Sequence, residues 1–376
     1  MSEPRFTLPL PATDFLRDYW QQKPLLMRQA ATGLDLVDGD TLAGLALEEE
    51  VESRLISGAG DGPWQLRHGP FEEEVFGELP EHDWTLLVQS VDHYLTEVSL
   101  LLDSFDFLPA WRLEDIMISY AAKGGSVGPH FDQYDVFLVQ ATGQRRWQIG
   151  QLCDGSTALL PHDELKLVAD FQVQEEFVLD AGDVLYLPPG VAHWGTAASN
   201  DCITWSVGFR APDMYQLLDL LLADSEEERT PLLFADAGRA PASLALGDAD
   251  IKALLAQTQT ALTRLPLATL LTRWLSLPRQ ETLELLDADT DVIGELCPEA
   301  GLVRHGGARL LVVDEDASHV FVNGEGFAIA EEARPLVRQL ASKRLLDRQT
   351  LAELIQPQAA HDLLKDWVER GYFYVM

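Results

Sequence analysis

The sequence is short of cysteine, short of basic residues and without a long apolar run. Its three cysteines, Cys153, Cys202 and Cys297, stand far apart. They form neither a disulfide framework nor a paired metal-binding spacing, and they suit a reducing cytoplasm. No apolar stretch approaches the roughly 18 residues a membrane span requires. The opening MSEPRFTLPLPATDF has no basic head followed by an apolar core, so no secretory signal is expected. Lys and Arg total 27 against 61 Asp and Glu, a net charge of −34 over 376 residues. Such a surface repels phosphate backbones, which argues against direct nucleic-acid binding. It would draw in a basic protein or peptide, or simply keep the chain soluble.

What is present divides the chain into three parts. Residues 1–212 mix helical patches with short β-type runs. TDFLRDYWQQ, TLAGLALEEEVESRL and WTLLVQSVDHYLTEVSLLLDSF (84–105) carry apolar residues at helical spacing. From Ile116 to Arg210 the pattern changes to IMISYAA, VFLVQ, RRWQIG, FVLDAGDVLYLPPG and ITWSVGFR, separated by Gly/Pro turns. That spacing predicts an antiparallel barrel or sandwich. Residues 213–297 read as helices with wide apolar faces, in MYQLLDLLLAD, ADIKALLAQTQTALTRL and LATLLTRWLSL. Such faces pack against a second chain or within an intramolecular bundle. Residues 298–376 begin with strands turning at DEDAS and at Asn323–Gly324 and continue as helices, the pattern of a small winged-helix-like module. Its basic residues form no groove-reading stripe.

The chemistry gathers around two stretches. In GPHFDQYD (128–135), His130 and Asp132 are two apart and share one face of a strand. In LDAGDVLYLPPGVAHW (179–194), a Pro188–Pro189–Gly190 turn precedes His193. Two imidazoles and one carboxylate form the facial ligand set of non-haem Fe(II) oxygenases, which leaves coordination positions open for a co-substrate and O2. The other seven histidines read as surface or structural residues. VFLVQ–ATG–QRRWQIG reads as a hairpin in which alternation places Arg145 and Trp147 on one face and Arg146 on the other. Tyr134 continues the His130/Asp132 face, and Asp135 should point the other way.

The spacings Gly124-x5-His130-x-Asp132 and Gly182-x5-Pro188-x-Gly190-x2-His193 resemble the two halves of the cupin signature. GPHFDQYDVFLVQATGQRRWQIG resembles JmjC-type 2-oxoglutarate oxygenases. More narrowly, with SRLISGAGDGPWQLRHGPF, WSVGFRAP and the three-part layout, the chain is similar to bacterial ribosomal oxygenases. The resemblance implies an α+β chain: a double-stranded β-helix (JmjC jelly roll) over 1–212, a helical dimerisation region over 213–297 and a winged-helix-like domain over 298–376. It implies Fe(II) held by His130, Asp132 and His193, with 2-oxoglutarate and O2 as co-substrates. It places the far carboxylate of 2-oxoglutarate on Arg145, fifteen positions after His130, with Arg146 as the competitor if the face is reversed. Ser119 and Ser206, with Thr204 beside them, would complete that pocket or simply pack the barrel.

The implied activity is hydroxylation of an arginine in a large-subunit ribosomal protein, number sixteen in the bacterial series, by a cytoplasmic homodimer. Two alternatives stand beside it. One keeps the chemistry but hydroxylates histidine or demethylates lysine on another basic protein. The other is a non-catalytic metal-binding cupin scaffold.

Overall fold

The computed structural model describes residues 3–58, 62–224, 233–235, 247–278 and 301–375. Cys297, most of the GRAPASLALGD segment and the end of the expected helical region lie outside the described residues.

Two antiparallel sheets face each other in the first part of the chain. The larger has eight strands. In spatial order they are Leu25–Met27, Val184–Leu187, Val136–Thr142, Cys202–Phe209, Leu113–Ala121, Trp84–Val88, Ser53–Ser57 and Gln65–His68. The smaller orders Glu175–Leu179, Arg145–Leu152 and Val191–Ala197. This is the expected jelly roll. Alternation along each strand of the large sheet divides its residues between two environments. Ile203, Trp205, Val207 and Phe209 pack with Ile116, Ile118, Phe137 and Val139 against an aromatic-rich N-terminal layer that includes Phe6, Phe15 and Phe105. Thr204, Ser206, Met117 and Ser119 turn the other way, into the space between the sheets.

Three local expectations are corrected. Val136–Thr142 and Arg145–Leu152 are not a hairpin: the first pairs with Val184–Leu187 and Cys202–Phe209, the second with Glu175–Leu179 and Val191–Ala197. The ATG link is a corner between sheets, with Gly143 in the left-handed region at φ 65°. Residues 84–105 are not one helix. Trp84–Val88 is a strand between Ser53–Ser57 and Leu113–Ala121, and helical turns begin only at Val91. The helix expected over 41–55 runs Gly39–Leu45, capped by Asp38, and Ser53–Ser57 is a strand.

The helices Met214–Asp224, Asp248–Thr263 and Leu267–Leu275 follow as expected. The C-terminal unit combines the sheet Leu345–Leu346, Leu302–Arg304, Phe373–Val375 with a meander Leu310–Val312, His319–Val322, Glu325–Ala328. Helices Arg334–Ser342, Arg348–Leu354 and Gln358–Glu369 close over a core that includes Leu336, Leu364 and Trp367. Asn323 and Gly324 both have positive φ, as a tight two-residue hairpin turn requires.

The C-terminal unit is seated on the jelly roll through Arg309 and Arg344. Arg309 donates from Nη1 to Glu114 O at 3.1 Å and from Nη2 to Leu113 O at 2.6 Å. Arg344 N donates to Asp103 Oδ2 at 2.9 Å. Beneath this contact Asp92 is fully enclosed. Its Oδ1 accepts from Ile116 N at 2.8 Å, while Oδ2 has no hydrogen-bond partner. Burial, then the neighbouring Asp115, push its carboxyl from 3.8 up to about 7. The unfolded chain therefore releases this proton first, and the folded state loses stability as pH rises from about 4 to about 7. Asp92→Asn should stabilise the fold near pH 8 by on the order of 1 kcal/mol or more, raising the melting midpoint there, and leave it nearly unchanged near pH 4. Thermal melts of the two proteins at both pH values check this.

Candidate active site

The two signature stretches meet through their backbones. The turn before His130 requires Gly128, whose φ of 79° lies in the left-handed region. His130 N then donates to His193 O at 3.0 Å, and His193 N to His130 O at 2.8 Å. Gly190, at φ 80°, closes the opposite turn and donates from N to Asp132 O at 2.8 Å. His193 itself lies within the strand Val191–Ala197. The Pro-Gly turn thus clamps Asp132 and hands His193 to the same place.

The side chains follow from that frame. His130 Nδ1 lies 2.9 Å from Gly128 O, and His193 Nδ1 lies 3.0 Å from Val191 O. A carbonyl only accepts, so Nδ1 carries the hydrogen, and in the neutral ring Nε2 is the nitrogen that keeps a lone pair. Burial, then the nearby His130, hold the His193 imidazole down to about 4, and so neutral near pH 7. The rings stand 4.3 Å apart, and His193 Nε2 is 3.7 Å from Asp132 Oδ2. The ligand atoms of His130, Asp132 and His193 all lie within 4.8 Å of one another. Two imidazole donors and one carboxylate fit a divalent first-row ion with open positions.

These residues open onto a cavity of about 910 Å³ between the sheets. Arg145 lines it and is buried, with Nε and Nη2 lacking any acceptor. Arg146 points outward, 3.7 Å from Glu176, so of the two arginines it is Arg145 that faces the cavity. A buried guanidinium without a carboxylate is costly unless an anionic ligand completes it. Ser119 and Ser206 also line the cavity. Ser119 Oγ donates to Thr204 O at 3.4 Å, and Thr204 Oγ1 donates to Gln140 Oε1 at 3.1 Å. Tyr134 lines the cavity too, while Asp135 points away, as expected. Asp135 accepts from Tyr186 OH at 2.6 Å, Arg112 Nη2 at 2.9 Å and Gln21 Nε2 at 3.0 Å.

Several cavity residues were not foreseen. Arg54, Gln89 and Asp115 come from the N-terminal strands and their flanks. Arg54 donates to Gln89 Oε1 at 3.4 Å, and Asp115 Oδ2 accepts from Gln89 Nε2 at 2.7 Å and from Ser90 Oγ at 2.6 Å. Only Asp115 had a sequence signal, as the residue that extends the IMISYAA strand toward Leu113.

Fold and site together define a JmjC-type jelly roll with a winged-helix partner, and comparison with known proteins agrees. A family model of the JmjC domain matches residues 100–217, and one of the ROXA-like winged helix matches residues 262–374. The ribosomal protein uL16 3-hydroxylase of Escherichia coli is 34% identical over 98% of this chain and 99% of that one. A probable ribosomal oxygenase of Haemophilus influenzae is 43% identical over 54% of this chain and 51% of its own. Solved structures of YcfD, a ribosomal oxygenase from E. coli, superpose on this chain. One, in complex with cobalt and 2-oxoglutarate, has a TM-score of 0.82 at 33% identity over 98% of this chain and 99% of that one. The chain belongs to the ribosomal oxygenase family of JmjC proteins.

Asp132 and Asp135 provide an internal contrast. Titration calorimetry with Co(II) should show one site in the wild type, weakened by more than about a hundredfold in His193→Ala and in Asp132→Ala. Asp135→Asn should leave that affinity unchanged and instead cost roughly 3 kcal/mol of stability, because it breaks a buried pair with Arg112.

Proposed function

We propose that the protein is an Fe(II)- and 2-oxoglutarate-dependent dioxygenase that hydroxylates an arginine side chain of a large-subunit ribosomal protein, number sixteen in the bacterial series. One observation carries the reading: the His130–Asp132–His193 group and the unpartnered buried guanidinium of Arg145 share one cavity. A metal scaffold has no use for the second feature. The solved relative bound to 2-oxoglutarate and the name of the E. coli relative support the co-substrate and the substrate class.

In this reading His130 and His193 present Nε2 lone pairs to the metal, and Asp132 neutralises part of its charge. When bound, Fe(II) with 2-oxoglutarate and O2 supplies the oxidising power to insert one oxygen atom into an unactivated C–H bond, with succinate and CO2 as co-products. Arg145 grips the far carboxylate of the co-substrate as a planar fork. Ser119 and Ser206 bound the same pocket. Val136, Leu138 and Trp147 line the cavity with apolar surface and keep bulk water from the reacting centre. Glu52, Asp115 and Glu164 line its walls, which suits a cationic side chain. The net charge of −34 draws a basic ribosomal protein to the surface.

The division into 1–212, 213–297 and 298–376 belongs to the same proposal, as do a cytoplasmic setting and a homodimer. Among the described residues no helix is long and apolar enough to cross a membrane. Met214, Tyr215, Leu218, Leu222, Leu254 and Leu255 are exposed on two of the middle helices, an apolar face that a second copy would cover. In the winged-helix unit Arg334 and Arg338 pair with Asp316, and Arg370 pairs with Glu325 and Asp366. These pairings speak against a DNA-reading role.

Purified protein incubated with Fe(II), 2-oxoglutarate and an arginine-containing peptide of the ribosomal protein should add one oxygen, read as a mass gain of about 16 with the co-products that such dioxygenation releases. The gain should vanish in His130→Ala and in Arg145→Ala. Addition at histidine or loss of methyl groups would transfer the activity to the alternative substrates, and metal binding without turnover would leave a scaffold. Light scattering at micromolar concentration should give twice the chain mass of 41.8 kDa, and a monomer would remove the dimer from the proposal.

A further inference from the structure

Arg145 is not the sole cavity-lining residue with a buried donor that lacks a partner. Trp147 is buried, and its indole N–H likewise has no acceptor. Four buried tryptophans share that deficit, Trp64, Trp147, Trp205 and Trp367, but among them Trp147 alone lines the cavity. Its position is fixed from both sides. Its ring centroid is 5.8 Å from the Arg145 guanidinium carbon and 5.8 Å from the His193 ring. It therefore lies alongside the path from metal ligand to carboxylate anchor. Across the smaller sheet Trp147 is in register with Gly195. A Cβ on Gly195 would lie 2.6 Å from Trp147 Cζ3 and 2.7 Å from Cη2. The benzo edge thus rests on that strand, and the N–H edge is turned away from it. An indole nitrogen only donates, so a ligand that satisfies it must bring an acceptor.

We propose that Trp147 is a second anchor for 2-oxoglutarate: its indole N–H donates to the far carboxylate that Arg145 holds, and so selects a diacid over a monoacid. A carboxylate presents two oxygens and about four acceptor directions, enough for a guanidinium and an indole together. The inference rests on the proposed function, because it takes 2-oxoglutarate as the occupant of the cavity. Trp147 is a positioning and specificity residue, and no bond to carbon changes at it.

The test compares two keto acids without O2 on the full-length chain loaded with Co(II). 2-Oxoglutarate carries the far carboxylate, and 2-oxobutanoate lacks it. Trp147→Phe should weaken 2-oxoglutarate by about tenfold or more, as expected for loss of a hydrogen bond to a charged group, and leave 2-oxobutanoate unchanged. A second readout needs no variant. With Zn(II) bound and the nine tryptophans labelled with 15N, one indole N–H signal should shift with 2-oxoglutarate and stay in place with 2-oxobutanoate. Equal loss for both acids, no loss for either, or unmoved indole signals would overturn the inference. If Arg145→Met still abolishes the preference for the diacid in that case, the proposed function stands. If the wild type binds no 2-oxoglutarate, the proposed occupant falls and the inference with it.

Discussion

The site depends on one pair of backbone hydrogen bonds, those exchanged by His130 and His193. They join two stretches 63 positions apart in sequence and set the two imidazoles side by side. Each ring then donates its Nδ1 hydrogen to a carbonyl two residues upstream, which leaves both Nε2 atoms as donors of electron pairs. The Gly190–Asp132 bond ties the backbone of Asp132 to the same frame. Pre-organisation of this kind is backbone-based, so neither imidazole has to be ordered when a metal arrives.

The rest of the jelly roll makes that frame rigid and gives it a chamber. The eight-stranded sheet is covered on both faces, and its alternation places an aromatic core on one side and the cavity on the other. Arg145 reaches the chamber because its strand belongs to the opposite sheet. The two sheets thus supply different chemistry. The smaller contributes His193, Arg145 and Trp147, and the larger contributes hydroxyls and acids. The winged-helix unit bears on the same body from outside, through Arg309 on the backbone of Leu113 and Glu114, the latter a residue that also lines the cavity.

Local patterns in the sequence carried the metal-ligand candidates and the orientation of Arg145. Two-residue parity is a property of one strand and survives an error in its pairing. The partners of a strand are a non-local property, so VFLVQ–ATG–QRRWQIG read as a hairpin although its halves lie in opposite sheets. Residues 84–105 were misread for a related reason. WTLLV is apolar enough for helix or strand, and pairing with Ser53–Ser57 and Leu113–Ala121 decides in favour of the strand. Glu52 and Gln89 of the cavity wall flank Ser53–Ser57 and Trp84–Val88, both read as helix, and Asp115 extends the correctly read IMISYAA strand, where no motif marks it. The pattern at Asn323–Gly324 was legible because a tight turn is local and demands particular residues.

In the proposed reading one chamber holds a metal at one end and a diacid's far carboxylate at the other. A crystal of the protein grown without O2 with Co(II) and 2-oxoglutarate tests it most directly. Anomalous density is expected within bonding distance of His130 Nε2, Asp132 and His193 Nε2, with the far carboxylate of the diacid on the Arg145 guanidinium. Cobalt bound elsewhere, or a diacid whose far end lies away from Arg145, would contradict it.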